Sequence, residues 1–179
     1  MISKKLLNSF EKRINYKFKN LKNLEKCLTH PSYISDINFN PKENQFERLE
    51  FLGDRVLGLS IASILFMKYK NFNEGNLSKK YSYLVQKDFL YQISMDLSLD
   101  KILLYNFKKN NKKMIKSVFS DAVESLIGAI YIDSGYKYSF NFIKKFWDPY
   151  IDVDVSDIQD PKTKLQELSQ QKLKKLPEY

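Results

Sequence analysis

Eight consecutive residues, Glu47-Arg48-Leu49-Glu50-Phe51-Leu52-Gly53-Asp54, carry three carboxylates at spacings that a helix gathers on one side. At about 3.6 residues per turn, Glu47, Glu50 and Asp54 fall within a narrow arc. A second segment, Ser120-Asp121-Ala122-Val123-Glu124-Ser125-Leu126-Ile127-Gly128, puts Asp121 and Glu124 one turn apart on a shared face. One reading of such stripes is a solvated acidic surface. Their neighbours argue against it. Leu49, Leu52 and Val56 cover the face opposite the first arc, while Phe51, Leu57, Ile61 and Leu65 flank or continue the arc itself. A helix apolar nearly all round is expected to be buried. Around the second pair, Val123, Leu126, Ile127, Ile130 and Ile132 are apolar, and Gly128 continues the acidic face without a side chain, leaving room for a ligand or a close helix. Carboxylates on such helices repel one another and lose hydration, which raises their pKa values unless a cation compensates. Packed together, the two helices would bring Glu47, Glu50, Asp54, Asp121 and Glu124 into one pocket.

Oxygen-only ligands select hard ions, so Mg²⁺ is the expected cofactor, with Mn²⁺ as its substitute. The rest of the composition narrows the chemistry. A single histidine, His30, excludes mechanisms that need two imidazoles, and with them the di-iron sites built on Glu-x-x-His pairs. A single cysteine, Cys27, excludes an internal disulfide framework and a cysteine-based zinc site, and fits a reducing, cytoplasmic setting. Lys and Arg number 30 against 21 Asp and Glu, a formal net charge of +9 that favours a polyanionic partner. The N-terminal stretch has no apolar signal core, and the longest mostly apolar run, Val56 to Met67, is too short for a bilayer; no membrane association is expected. Acidic metal sites in a basic protein suit phosphodiester hydrolysis, in which cations roughly 3.5–4 Å apart activate water and stabilise the leaving oxygen. Sequence physics thus points to a metal-dependent nuclease.

Helices must position these acids, and the chain of 179 residues reads as helical throughout. Leu6, Leu7 and Phe10 recur at helical spacing, as do Leu21, Leu24 and Leu28. Residues 31–45 hold two prolines and no periodicity and are expected to form a loop. A long helix is expected from about Phe46 to Lys70, another from Leu77 to Ser94 capped by Asn76 or Ser78, and a third from Ser117 to Ser134 with Gly135 as its C-cap. Residues 108–113 (KKNNKK) read as a basic loop, and a last helix runs through Phe146 and ends before Pro149. Composition then shifts. Residues 151–159 form an acidic linker, and the final stretch, 160–179, reads as one capped amphipathic helix that cannot bury its apolar face alone.

ERLEFLGD at 47–54 resembles the signature of bacterial ribonuclease III, and SDAVESLIGAIYIDSG at 120–135 resembles that family's second acidic motif. CLTHPSY at 27–33 resembles its LTH-x-S element, and DPKTKLQE at 160–167 the start of its double-stranded-RNA-binding domain. The resemblance implies an all-α endonuclease domain over residues 1–150, the linker over 151–159, and over 160–179 the beginning of an α+β RNA-binding domain, most of which the sequence is expected to lack. It implies that Glu50, Asp54, Asp121 and Glu124 are the metal-site acids, with Asp54 and Glu124 catalytic, and that Glu47 and Glu74 line the cleft. It implies a homodimer in which Phe51 enters a socket on the partner, each subunit cutting one strand of an RNA duplex to leave 5′-phosphate and 3′-hydroxyl ends, as in the processing of rRNA and mRNA precursors.

Other assignments stay open at this level. Glu74 by itself is an acid near a helix N-terminus, Phe51 an ordinary core aromatic, and His30 a packing or loop-bonding residue as readily as an RNA contact. Lys79, Lys80 and the basic stretch 108–116 are candidates for phosphate contact or simply solvated lysines, and Arg48 and Arg55 are candidate salt-bridge partners of the acids. The competing functions are a catalytically silent RNA-binding dimer of the same fold, acting in ribosome assembly, and a signalling or metabolic helical domain with a chance acidic cluster.

Overall fold

The computed structural model describes residues 2–34, 45–106 and 111–154. Within them the protein is all-α, with seven α-helices: α1 Lys4–Ile14, α2 Leu21–Cys27, α3 Gln45–Lys68, α4 Glu74–Val85, α5 Lys87–Asp96, α6 Lys112–Ser134 and α7 Tyr136–Ile151. Asparagines start three of them. The side chains of Asn20, Asn73 and Asn111 accept backbone N–H groups of Lys22, Asn76 and Met114, taking up donors that the first turn of a helix leaves unpaired. Asn15 ends α1 in the left-handed region, at φ 55°. No helix among the described residues is long and apolar enough to cross a membrane.

Helix α6 is the centre of the molecule. Nearly every residue from Val118 to Ile130 is buried, including Ala122, Val123, Leu126, Ile127 and Ala129, as expected of a helix apolar on all sides. α3 crosses it, and α2, α5 and α7 pack around the pair. Among the described residues one parallel bridge, Thr29 to Leu104, ties the chain after α2 to the chain after α5: His30 N–H donates to Leu104 O and Leu104 N–H donates to Leu28 O, both at 2.9 Å.

Several sequence expectations change in the folded chain. The helix expected from Leu77 to Ser94 is two helices, broken at Gln86 in an extended conformation (φ −69°, ψ 151°). The break lets α4 bury Leu84 while α5 turns Phe89, Leu90 and Ile93 inward. Leu84 O, which a continuous helix would have bonded to residue 88, instead accepts the indole N–H of fully buried Trp147 at 3.0 Å. The third long helix starts at Lys112, five residues early, because Asn111 caps it. The last helix passes through Pro149 to Ile151. Proline so near the end removes one N–H, and Trp147 and Ile151, both buried, hold the last turn in place. Gly135 stands at the expected position but with φ 83° and ψ 179°, joining α6 directly to α7; only glycine adopts that conformation readily.

α3 departs most from expectation. Leu49, Val56, Leu57, Ile61 and Leu65 are buried, but Phe51 is 67% exposed and Phe66 74%, with Leu59 and Met67 also exposed. Among the described residues the helix is therefore apolar on an exposed face. Of the loop expected over 31–45, Pro31–Ile34 forms a 3-10 turn. Residues 35–44 and 107–110, most of the acidic linker and the whole 160–179 segment lie outside the described residues.

Candidate metal centre

The acids meet because two glycines let two helices touch. A Cβ placed on Gly53 would stand 1.7 Å from Glu124 O, and one on Gly128 would stand 2.1 Å from Leu49 O. α3 and α6 therefore cross backbone against backbone, and Ser125 Oγ–H donates to Phe46 O across the same seam at 3.1 Å. Side chains one turn away from the crossing are forced together. One carboxylate oxygen from each of Glu50, Asp121 and Glu124 lies within 4.8 Å of the other two.

These three groups are partly buried, and their electrostatics show the cost. The Glu124 carboxyl is pushed up to about 8, first by burial and then by the charges of Asp54, Glu50 and Asp121. Glu50 is raised to about 7, again first by burial and then by Asp121, with Glu47 and Asp54 adding to it. Oxygen ligands bind Mg²⁺ at about 2.0–2.1 Å and larger hard ions at about 2.3–2.6 Å. Oxygens converging as these do could hold such an ion between them, and its charge would relieve the repulsion that their packing creates.

The three face a cleft of about 460 Å³, lined also by Glu47, Asp54, Phe51, Arg55 and His30. Asp54 stands at the rim, 42% exposed, its carboxylate 3.2 Å from the Arg55 guanidinium. That guanidinium also lies 5.7 Å from the Phe51 ring centre. Arg55 is thus a salt-bridge partner of the acids, whereas Arg48 is exposed and does not line the cleft. Glu47 is exposed on the first turn of α3. Glu74 is not brought to this cleft: it opens α4, where its carboxylate accepts the Ser78 hydroxyl at 2.6 Å.

The remaining candidates divide by their bonding. His30 Nδ1 accepts the Ser32 N–H at 3.1 Å and faces Ser32 Oγ at 2.9 Å, and its ring meets the Phe46 ring edge-on at 5.1 Å. Burial lowers its pKa, so a neutral, loop-holding imidazole closes this side of the cleft. Lys80 is no phosphate contact. It is buried, and its ammonium donates to Ile151 O at 2.9 Å and to Val153 O, capping the end of α7. Lys79 is exposed. Sequence reasoning missed Gly53, Ser117 and Lys87. Ser117 sits one turn before Asp121 and was within reach of helical spacing; Lys87 comes from α5, and no local pattern links it to the acids.

Comparison with known proteins agrees with this architecture. A family model described as Ribonuclease-III-like matches residues 20–150. The chain is 42% identical over 170 residues to Ribonuclease 3 of Pelagibacter ubique, covering 94% of this chain and 73% of that protein. It is 40% identical over 175 residues to Ribonuclease 3 of Acinetobacter pittii, covering 93% and 72%. Among solved structures, a nuclease domain of ribonuclease III from Campylobacter jejuni superposes with a TM-score of 0.69 at 31% identity, over 82% of this chain and 99% of that one. Acids gathered at a glycine seam and relatives matched over most of their length lead to one assignment: the chain belongs to the ribonuclease III family.

Proposed function

We propose that this protein is a Mg²⁺-dependent endoribonuclease that hydrolyses double-stranded RNA to 5′-phosphate and 3′-hydroxyl ends, with Mn²⁺ able to replace Mg²⁺, and that it works in the cytoplasm. The observation that carries the reading is the convergence of Glu50, Asp121 and Glu124 within 4.8 Å in partly buried surroundings, in a chain of net charge +9. Family membership supplies the dependence on a divalent metal. When bound, such an ion stabilises charge on the leaving oxygen and acidifies a water. Glu50, Asp121 and Glu124 would hold it; Asp54, at the rim, would orient water at the scissile phosphate, and Glu47 would border the path of the strand. Basic side chains draw the backbone in without reading bases, because A-form RNA hides its base edges and is recognised by shape, phosphate and 2′-OH.

The cleft holds one set of acids, and a duplex has two strands. The exposed face of α3 supports the second half of the reading: two copies pair as a homodimer. Phe51 projects from it, and an apolar cavity of about 550 Å³ opens farther along, lined by Leu65, Phe66, Met67, Leu77 and Tyr81. A projection and a cavity on one surface are self-complementary under two-fold symmetry, so Phe51 of each copy fills the cavity of the other. Glu74, at the start of α4, then borders the joint cleft. We read residues 1–150 as the nuclease domain, 151–159 as the linker and 160–179 as the opening of an RNA-binding domain. The test is cleavage of a perfectly paired RNA duplex in Mg²⁺ and in EDTA, with Glu124→Gln beside the unaltered protein. Cleavage by Glu124→Gln at the unaltered rate would end the proposal.

A further inference from the structure

The cation that bears on Asp121 comes from a helix that carries none of the clustered acids. Lys87 is the first residue of α5. Its carbonyl accepts the Ser120 hydroxyl at 2.7 Å, which fastens the start of α5 to α6. Its ammonium lies 3.4 Å from Asp121 Oδ1 and donates to Ser117 Oγ at 3.0 Å, while the Ser117 hydroxyl lies 3.3 Å from Asp121 Oδ2. Both oxygens of Asp121 are thereby engaged by one lysine and the serine it touches.

Nothing in α5 itself calls for a lysine here. A positive charge on the first turn opposes the helix dipole, and the bonding of this one runs to α6. The side chain of Lys87 is 66% exposed against 16% for Asp121, so the ammonium reaches a mostly buried carboxylate from the solvent side. Its field also offsets the mutual repulsion that raises Glu50 and Glu124. Asp121 is therefore claimed twice, by Lys87 in the structure described and by the divalent ion of the proposed site.

We propose that Lys87 is a positioning residue that serves as the resident counter-cation of the cluster: it holds Asp121 in the metal-free protein and competes with the divalent ion for that carboxylate. The inference rests on the metal-site reading above. It makes metal loading an exchange, in which the ammonium leaves Asp121 as the ion arrives. The exposed lysine gives way at little cost, because such ion pairs are weak in water.

The test is Mn²⁺ binding to the full chain without RNA, followed by electron paramagnetic resonance of the free ion, for the unaltered protein, Lys87→Met, Lys87→Arg and Glu124→Gln. Loss of a competitor worth an exposed ion pair tightens Mn²⁺ binding about two- to fivefold in Lys87→Met, whereas Lys87→Arg, which keeps the charge, stays near the unaltered value. The Mg²⁺ concentration giving half-maximal cleavage falls in the same proportion. A lysine with only a structural role would leave Mn²⁺ affinity unchanged or weaken it, and either result overturns the proposal, as does equal tightening in Lys87→Arg. Glu124→Gln separates the two levels. If it removes no Mn²⁺ site from the unaltered protein, the metal-site reading fails and takes Lys87 with it; if it removes the site and Lys87→Met does not tighten binding, only the Lys87 proposal fails.

Discussion

Gly53 lies so close to the carbonyl of Glu124 that a methyl group on it would stand 1.7 Å from the oxygen. Contact is with backbone, which cannot rotate away as a side chain does. Gly53→Ala is expected to force α3 and α6 apart and to destabilise the protein by about 3 kcal/mol, in the upper range for overpacking. It is also expected to abolish Mn²⁺ binding, because separation of the helices pulls Glu50 from Asp121 and Glu124. Urea unfolding and a Mn²⁺ titration check both outcomes; unaltered stability would mean that the helices do not cross as described.

Removing single charges from the cluster separates chemistry from folding. Glu124→Gln and Asp54→Asn are each expected to lower duplex cleavage in Mg²⁺ by at least about a hundredfold, more than loss of an outer partner of a metal ligand costs. Circular dichroism and RNA binding should stay close to those of the unaltered protein. In EDTA, Asp54→Asn is expected to raise stability by roughly 0.5–1 kcal/mol, the size of a partly exposed charge interaction, since Asp54 is the leading charge pushing on Glu124.

The same repulsion sets a pH dependence. Below pH 4.5, the ordinary value for glutamate, Glu50 and Glu124 are protonated in both folded and unfolded chains. As pH rises, the unfolded chain releases these protons first, so the folded state loses relative stability until the pH passes about 7 for Glu50 and about 8 for Glu124. In EDTA the contribution of this pair to stability should therefore fall between pH 4.5 and 8, and saturating Mn²⁺ should restore it at the upper end. Metal binding near pH 7 should release protons. Calorimetry in buffers of different ionisation enthalpy measures that release; none would contradict the assignment.

Phe51 offers a test of pairing that leaves the monomer alone. At 67% exposure, truncation to alanine should change monomer stability by no more than about 0.5 kcal/mol. An aromatic anchor in a partner's cavity commonly contributes about 2 kcal/mol or more, so Phe51→Ala should raise the dimer dissociation constant at least about thirtyfold. Sedimentation at graded concentrations measures it; equal dissociation constants would remove Phe51 from the interface.

The sequence by itself determined the helical class, the long helix α3 and the two acidic strips, since period and composition are local properties that survive any packing. It also narrowed the ligands of the proposed metal site to oxygen, because the chain has one histidine and one cysteine. The bend at Gln86 was not legible, as it answers to Trp147, distant in the chain, taking the carbonyl of Leu84. Nor was the role of Lys80, whose partners Ile151 and Val153 lie about seventy residues away. Spacing placed Glu47, Glu50 and Asp54 on one arc, but only the crossing at Gly53 and Gly128 decided that Glu50 joins Asp121 and Glu124 while Asp54 keeps to the rim beside Arg55. The same crossing turned Phe51 outward, against the expectation of a fully buried helix. Distances between helices are set by which backbones can touch, and that is a property of pairs of segments that neither segment carries alone.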